Sequence, residues 1–216
     1  MIYQNLKFTV LSDRPYFITN FISTVDGKVK VLKPGYWPIG SLLDFETFTY
    51  LRAHADVIVD GKNTALEFGK ATIETIHSES FRNLRKELGK EGNPKYFILT
   101  ENSNEQLERV LENSFGYKST IFSGSISDLA QKLHKDNMNV VFVDGGPKLL
   151  GSFFKEDLID EVFLTISPKI FGNAQNQTLT MMEGTLLPPE KIKNLELLSM
   201  QAFDSEIYLR YKLKNV

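Results

Sequence analysis

The run Val140-Val141-Phe142-Val143-Asp144-Gly145-Gly146-Pro147-Lys148-Leu149-Leu150-Gly151 restricts the fold more than any other stretch of this chain. Its first four residues are apolar and three of them are β-branched, which suits a strand covered on both faces, as inside a parallel sheet. Asp144 then stands at the carboxyl end of that strand. Gly145 and Gly146 allow positive φ and let a ligand come close to bare backbone. Pro147 suits the first turn of a following helix, where its missing N–H costs no hydrogen bond. The free amides of such a helix start, at the positive end of its dipole, can hold a phosphate. A Gly-Gly-Pro turn also serves as a plain tight connection, and by itself it does not choose between the two roles.

Short apolar runs alternate with helical patterns through the rest of the chain. Strands are expected over residues 16–23, 57–59, 96–100, 121–122 and 162–166, and helices over 44–54, 80–88, 103–111 and 125–133. That alternation predicts an α/β fold with a mainly parallel sheet and right-handed connections. Residues 195–200 and 207–213 suit an antiparallel pair that closes the sheet. In the first helix Asp44 is the candidate N-cap, and Phe45, Phe48 and Leu51 follow at three-residue spacing. Residues 68–93 read as polar and irregular outside the 80–88 helix, with their charged side chains on a solvated face.

Over 216 residues, 42% of them hydrophobic, no shift in composition marks a boundary, so residues 1–216 are expected to form one domain. A net charge of -2 gives no general attraction to nucleic acid or to an anionic membrane, and points to a small-molecule substrate. The absence of cysteine excludes disulfides, thiolate metal sites and cysteine nucleophiles. His54, His77 and His134 lack ligand spacing, so no metal is expected. Met1-Ile2-Tyr3-Gln4-Asn5 has neither the basic nor the apolar region of a signal peptide, and no apolar run approaches a membrane span. A cytoplasmic location is expected.

Several polar segments follow the predicted strands. Thr24-Val25-Asp26-Gly27 carries a turn signal. Lys33-Pro34-Gly35-Tyr36-Trp37-Pro38-Ile39-Gly40-Ser41 is a loop with the only tryptophan, whose flat ring either covers a pocket or caps a core edge. Arg52, near the end of the first helix, either complements the negative helix terminus or holds a substrate phosphate. Asp60-Gly61-Lys62-Asn63-Thr64 repeats the logic of the central stretch, a polar loop at the carboxyl end of a short apolar strand.

Taken together, Arg14-Pro15, Thr24-Val25-Asp26-Gly27, Leu51-Arg52-Ala53 with Ala55-Asp56, Gly61 with Thr64, and Val143-Asp144-Gly145-Gly146-Pro147-Lys148-Leu149 form an ordered set. Followed by Leu158-Ile159-Asp160-Glu161 and Ser167-Pro168-Lys169-Ile170-Phe171-Gly172, the set resembles the reductase domain of the riboflavin-pathway deaminase/reductase family. The resemblance runs from about Arg14 to Gly172. It implies a dihydrofolate-reductase-like fold, a homodimer, and NADPH-dependent reduction of the ribosyl group of a pyrimidine ribosylamine 5′-phosphate to ribityl. By the same resemblance Trp37, Thr64 and the turn Gly145, Gly146, Pro147, Lys148, Leu149, Leu150, Gly151 and Ser152 match cofactor-contacting positions. Arg52 and Asp144 match substrate-contacting positions, with Asp144 as the catalytic candidate that orients substrate and relays a proton through water.

Hydride delivery to an opened, imine-like ribosylamine depends mainly on holding the cofactor and acceptor at near-attack distance, so no triad or metal is required. The sequence departs from the family pattern at three places. Phe68 stands where an acidic residue is usual, Asp144 replaces a glutamate, and Asn20 stands where a lysine is common. Thr100 and Ser103 offer hydroxyls to a 2′-phosphate, and Glu101 beside them opposes it. The alternatives are a paralogous reductase acting on another pterin or pyrimidine, and a nucleotide-binding dimer without turnover.

Overall fold

A computed structural model of the chain describes residues 2–35 and 37–214; Met1 of the N-terminal stretch and Tyr36 of the tryptophan loop lie outside the described residues. In chain order the elements are β1 (Tyr16–Thr24), β2 (Lys30–Val31), α1 (Leu42–His54), β3 (Val57–Gly61), α2 (Lys62–His77), α3 (Glu79–Glu87), β4 (Lys95–Leu99), α4 (Glu105–Leu111) and β5 (Thr120–Phe122). They continue with α5 (Ile126–Lys135), β6 (Val140–Gly145), α6 (Pro147–Lys155), β7 (Glu161–Ser167), β8 (Thr178–Leu179), a 3-10 turn (Pro189–Lys191), β9 (Leu195–Phe203) and β10 (Glu206–Leu213). Among the described residues no helix is long and apolar enough to cross a membrane.

The chain divides into two compact units, each drawn from separated stretches: residues 7–17 with 49–146, and residues 2–6 with 18–48 and 147–214. That discontinuity explains why composition along the sequence carries no boundary. In the 49–146 unit four strands pair in the order β5-β4-β3-β6, all parallel. The apolar runs are covered on both faces as the central stretch predicts: Val57, Ile58, Val59, Val141, Phe142 and Val143 are fully buried. Asp56 ties this sheet's lower edge, its carboxylate accepting from the amides of Asn139 and Val140 at 2.9 Å and from Lys90 Nζ at 2.8 Å.

The other unit carries β1 beside β7 in parallel register, then β10 and β9 antiparallel to their neighbours. This is the C-terminal strand pair expected from the sequence. Asp26 fastens its loops, accepting from Thr24 Oγ1 at 2.5 Å and from the amides of Phe171 and Gly172 at 3.2 and 2.8 Å. Gly27 takes φ 78° to make the turn. The Thr24–Gly27 and Ser167–Gly172 motifs therefore act as one hydrogen-bonded device.

Three expectations change. Asp44 is not the N-cap: α1 starts two residues earlier, and Ser41 Oγ accepts from the Asp44 amide at 3.1 Å. Residues 62–77 form a sixteen-residue helix where a polar loop and irregular chain were expected. Its buried face is Ala65, Gly69, Thr72, Ile73 and Ile76, and the first three, small or hydroxylated, hide the period that the two isoleucines alone do not establish. Arg85, expected on a solvated face, is 2% exposed and donates to the carbonyl oxygens of Ala53, Ala55 and Gly92 at 2.9, 2.6 and 2.6 Å. It serves the carbonyls left open where α1 ends.

Candidate active site

In the 49–146 unit, β3 and β6 are parallel neighbours, so their carboxyl ends bring Asp60, Gly61, Asp144 and Gly145 to one edge. The register shifts between Val59 and Asp60, pairing Asp60 with Gly145. β3 runs directly into α2, so Lys62, Asn63 and Thr64 are its first turn rather than a loop. Gly61 at the N-cap supplies no capping side chain. The first-turn amides, with the helix dipole behind them, are available to an anion.

The glycines of the turn work by closeness rather than by handedness. Neither Gly145 nor Gly146 takes the positive φ expected of them, and the peptide that joins them is cis. A Cβ at Gly146 would stand 3.0 Å from Thr64 Oγ1, and one at Gly145 3.6 Å from the same atom. Bare backbone is what lets the Thr64 hydroxyl and the turn come together. This hydroxyl-and-backbone donor set fits a dinucleotide phosphate.

Beside the turn lies a buried polar cluster. Arg52, from the last turn of α1, is 6% exposed; its Nη2 pairs with Asp144 Oδ2 and donates to Thr72 Oγ1 at 3.2 Å. Asp60 is fully buried and accepts from the Tyr96 hydroxyl at 2.5 Å. Burial pushes the Asp60 carboxyl up to about 6, against the lowering pull of the Tyr96 hydrogen bond and the Arg52 charge. Burial also lowers Arg52 to about 10, with Asp60 its main electrostatic support, so the guanidinium stays charged at neutral pH. Arg52 stands in the last turn of α1 and is at the same time buried and charge-paired, a geometry consistent with both of its expected roles.

In the other unit, α6 begins at Pro147 and buries Leu150, Gly151, Phe153 and Phe154. A Cβ at Gly151 would meet Thr185 Oγ1 at 3.1 Å and the Glu183 carbonyl at 3.2 Å, so Leu150 and Gly151 seat the helix. Lys148 is exposed, Leu149 and Ser152 are partly so, and Ser152 Oγ donates to the Lys148 carbonyl at 3.2 Å. Trp37 is 44% exposed, donates from Nε1 to the Lys33 carbonyl at 3.1 Å and meets Phe171 edge-on at 6.2 Å.

The RibD C-terminal domain matches residues 15–209, which is most of the chain. The chain belongs to the RibD C-terminal domain family. The riboflavin biosynthesis protein RibD of Aquifex aeolicus is 27% identical over 178 residues, 76% of this chain and 49% of that protein. The chain therefore spans about half the length of that relative. The 2,5-diamino-6-ribosylamino-4(3H)-pyrimidinone 5′-phosphate reductase of Archaeoglobus fulgidus is 24% identical over 197 residues, 80% of this chain and 89% of that protein. Among solved structures, Acinetobacter baumannii RibD superposes with a TM-score of 0.69 at 17% identity, covering 94% of this chain and 59% of that one. Enterococcus faecalis dihydrofolate reductase gives 0.53 at 13% identity, covering 93% and 97%. The dihydrofolate-reductase-like fold expected from the sequence is the one observed.

Within the RibD C-terminal domain frame, the structure gathers Arg52, Thr64, Asp144, Gly145 and Gly146 in one unit. Sequence reasoning missed Tyr96 and Thr72 and gave Asp60 no role of its own, although an aspartate closing the apolar run Val57-Ile58-Val59 was a visible signal. It also gave no role to Lys62, whose Nζ donates to the Asn102 carbonyl at 2.8 Å in the loop after β4. There the Asn102 amide donates to Thr100 Oγ1 at 3.2 Å.

Proposed function

We propose that this chain is an NADPH-dependent reductase of riboflavin biosynthesis that converts the ribosyl group of a pyrimidine ribosylamine 5′-phosphate to ribityl. The observation that carries it is the buried Arg52–Asp144 pair immediately before Gly145-Gly146, at the carboxyl ends of two parallel strands in a RibD C-terminal domain. Ligands of parallel α/β sheets sit at such ends. Thr64, Gly145 and Gly146 hold the cofactor; for Trp37, Pro147, Lys148, Leu149, Leu150, Gly151 and Ser152 the assignment rests on the sequence resemblance alone. When bound, NADPH supplies the hydride that reduces C1′ of the sugar. Arg52 recognises the phosphate or a sugar oxygen, and Asp144 orients the opened ribosylamine and returns a proton to its nitrogen through water. The positive charge of Lys62 beside Thr100 and Asn102 offsets Glu101 and favours NADPH over NADH.

A homodimer is part of the proposal. β9 is an edge strand that is solvent-facing along its length, with Leu197, Met200 and Phe203 each at least half exposed, an apolar sheet edge of the kind a second copy covers. We also place the protein in the cytoplasm. The test is titration with NADPH and, in parallel, NADH, following Trp37 quenching, and then turnover of the pyrimidine ribosylamine phosphate with analysis of the ribityl product. Binding of NADPH without turnover of that compound favours the paralogous reductase on another pterin or pyrimidine. Binding without oxidation by any acceptor favours a nucleotide-binding dimer, and no binding of either nucleotide removes the proposal.

A further inference from the structure

Two carboxylates act on one guanidinium inside the 49–146 unit. Asp144 pairs with Arg52 directly, while the charge of the fully buried Asp60 supports that of Arg52. Four elements contribute to the cluster: Arg52 from α1, Thr72 from α2, Tyr96 from β4 and Asp144 from β6. Tyr96 satisfies Asp60 Oδ2, whereas Oδ1 has no hydrogen-bond partner. With all three ionised the cluster carries one negative charge too many, and a buried excess charge is costly unless it is neutralised. An incoming substrate anion that engages Arg52 would worsen that excess.

We propose that Asp60 is a positioning residue that balances the charge of the site, supporting Arg52 together with Asp144 and taking up a proton when an anionic group of the substrate engages the guanidinium. The proposal rests on the assignment of Arg52 to substrate recognition. Its sign follows from linkage. An anion at Arg52 withdraws the positive potential from Asp60 and adds negative charge, so the bound state holds the Asp60 proton more tightly than the free state. The carboxyl already sits at about 6 in the free protein, so the uptake falls in an accessible range. Asp144, next to the glycine turn, is then free to leave Arg52 and meet the substrate without stranding the guanidinium.

The experiment uses the full chain, wild type and D60N, with Y96F as a second variant that keeps the carboxylate but removes its hydroxyl donor. Calorimetry of the pyrimidine ribosylamine phosphate in buffers of different ionisation enthalpy reads proton uptake directly. Wild type is expected to take up more protons than D60N. For an upward shift of one pH unit on binding, its affinity should rise on the order of five-fold more than that of D60N between pH 8 and pH 6. In Y96F the same window should move to higher pH. Equal uptake in wild type and D60N overturns the proposal.

A second arm follows the Asp60 carboxyl carbon by NMR, with inorganic sulfate as a non-titrating oxyanion. Its midpoint should move upward as sulfate is added, and an unmoved midpoint overturns the charge coupling. If sulfate moves the midpoint while the pyrimidine phosphate fails to bind, the substrate assignment falls and the role of Asp60 stands.

Discussion

Asp60 and Asp44 are both buried, and burial pushes each carboxyl up to about 6, yet their surroundings give them different work. Around Asp60 the opposing influences are the Tyr96 hydroxyl and a buried guanidinium, Arg52. Around Asp44 they are a hydrogen bond from Thr165 and the charge of Lys169, with Glu206 pushing the same way as burial. Glu206 is itself held by hydroxyls, accepting from Ser41 and Tyr208 at 2.6 Å each. Since the Ser41 hydroxyl also receives the Asp44 amide, that network ties the start of α1 to β10. Burial is the largest influence on both. A fixed buried cation beside a glycine turn is what equips the Asp60 cluster for an anionic ligand, while the Asp44 cluster is built to hold two elements together.

Removing the cation should break the contrast most. Arg52→Ala is expected to lower kcat/KM by roughly 10²–10³-fold, mostly through KM, and to destabilise the fold by about 3–5 kcal/mol, because two buried carboxylates lose their partner. Tyr208→Phe, the nearest counterpart in the other cluster, should cost about 1 kcal/mol of stability and leave KM unchanged. Steady-state kinetics and urea unfolding on both variants check this. Equal effects on KM would erase the functional distinction between the clusters.

Gly146→Ala sharpens the same contrast at the turn. Its added methyl would press on the Thr64 hydroxyl at 3.0 Å, and we expect NADPH affinity to fall about ten-fold while urea stability changes by less than about 1 kcal/mol. Fluorescence titration gives the first number, and a stability loss without an affinity loss would make the glycine purely structural.

The pH dependence of stability separates the two aspartates directly. For Asp44 the folded carboxyl titrates at about 6, above its ordinary 3.8, so the folded state binds the proton more tightly than the unfolded chain. Its stabilising contribution is present in acid and is lost as pH rises through 6. Asp44→Asn should therefore be more stable than wild type at pH 8, by about 1–2 kcal/mol, and should show a flatter urea midpoint between pH 4 and pH 6.5. Asp60→Asn has the same sign but should gain less, because it also takes a carboxylate from Arg52. The reverse order would mean that Asp60 has little hold on the guanidinium.

The smallest effect is expected at Lys62. Lys62→Ala should weaken NADPH by about three- to five-fold and leave NADH unchanged, as the loss of one exposed charge near a 2′-phosphate would. Equal weakening of both nucleotides would instead assign Lys62 to the shared part of the cofactor.

Much of the fold was legible because buried parallel strands are written as uninterrupted β-branched runs. Val57-Ile58-Val59 and Val140-Val141-Phe142-Val143 fall in β3 and β6, and Pro147 opens α6 as its fixed φ allows. The β9–β10 pair was legible as two runs, residues 195–200 and 207–213, around a short connection, although β9 runs on to Phe203 and β10 starts at Glu206. α2 was not, because its inward face is Gly69 and Thr72 as much as Ile73 and Ile76, and residues chosen for close packing lose the apolar period. The family resemblance assigned Arg52 and Asp144 to the substrate and Gly145-Gly146 to the cofactor, without Asp60, Tyr96 and Thr72 around them.

What the sequence by itself determined was the set of local decisions: which runs become strands, where a proline may begin a helix, and which ordered motifs mark a RibD C-terminal domain. These depend on steric preferences and on burial patterns within a few residues. Only the tertiary structure decided that Arg52 pairs with Asp144 and feels the charge of a buried Asp60, that Tyr96 and Thr72 join the cluster, and that a bare Gly146 lies close to Thr64. Charge balance depends on distances between residues up to 92 positions apart, and on the loss of water around them, neither of which a linear pattern contains.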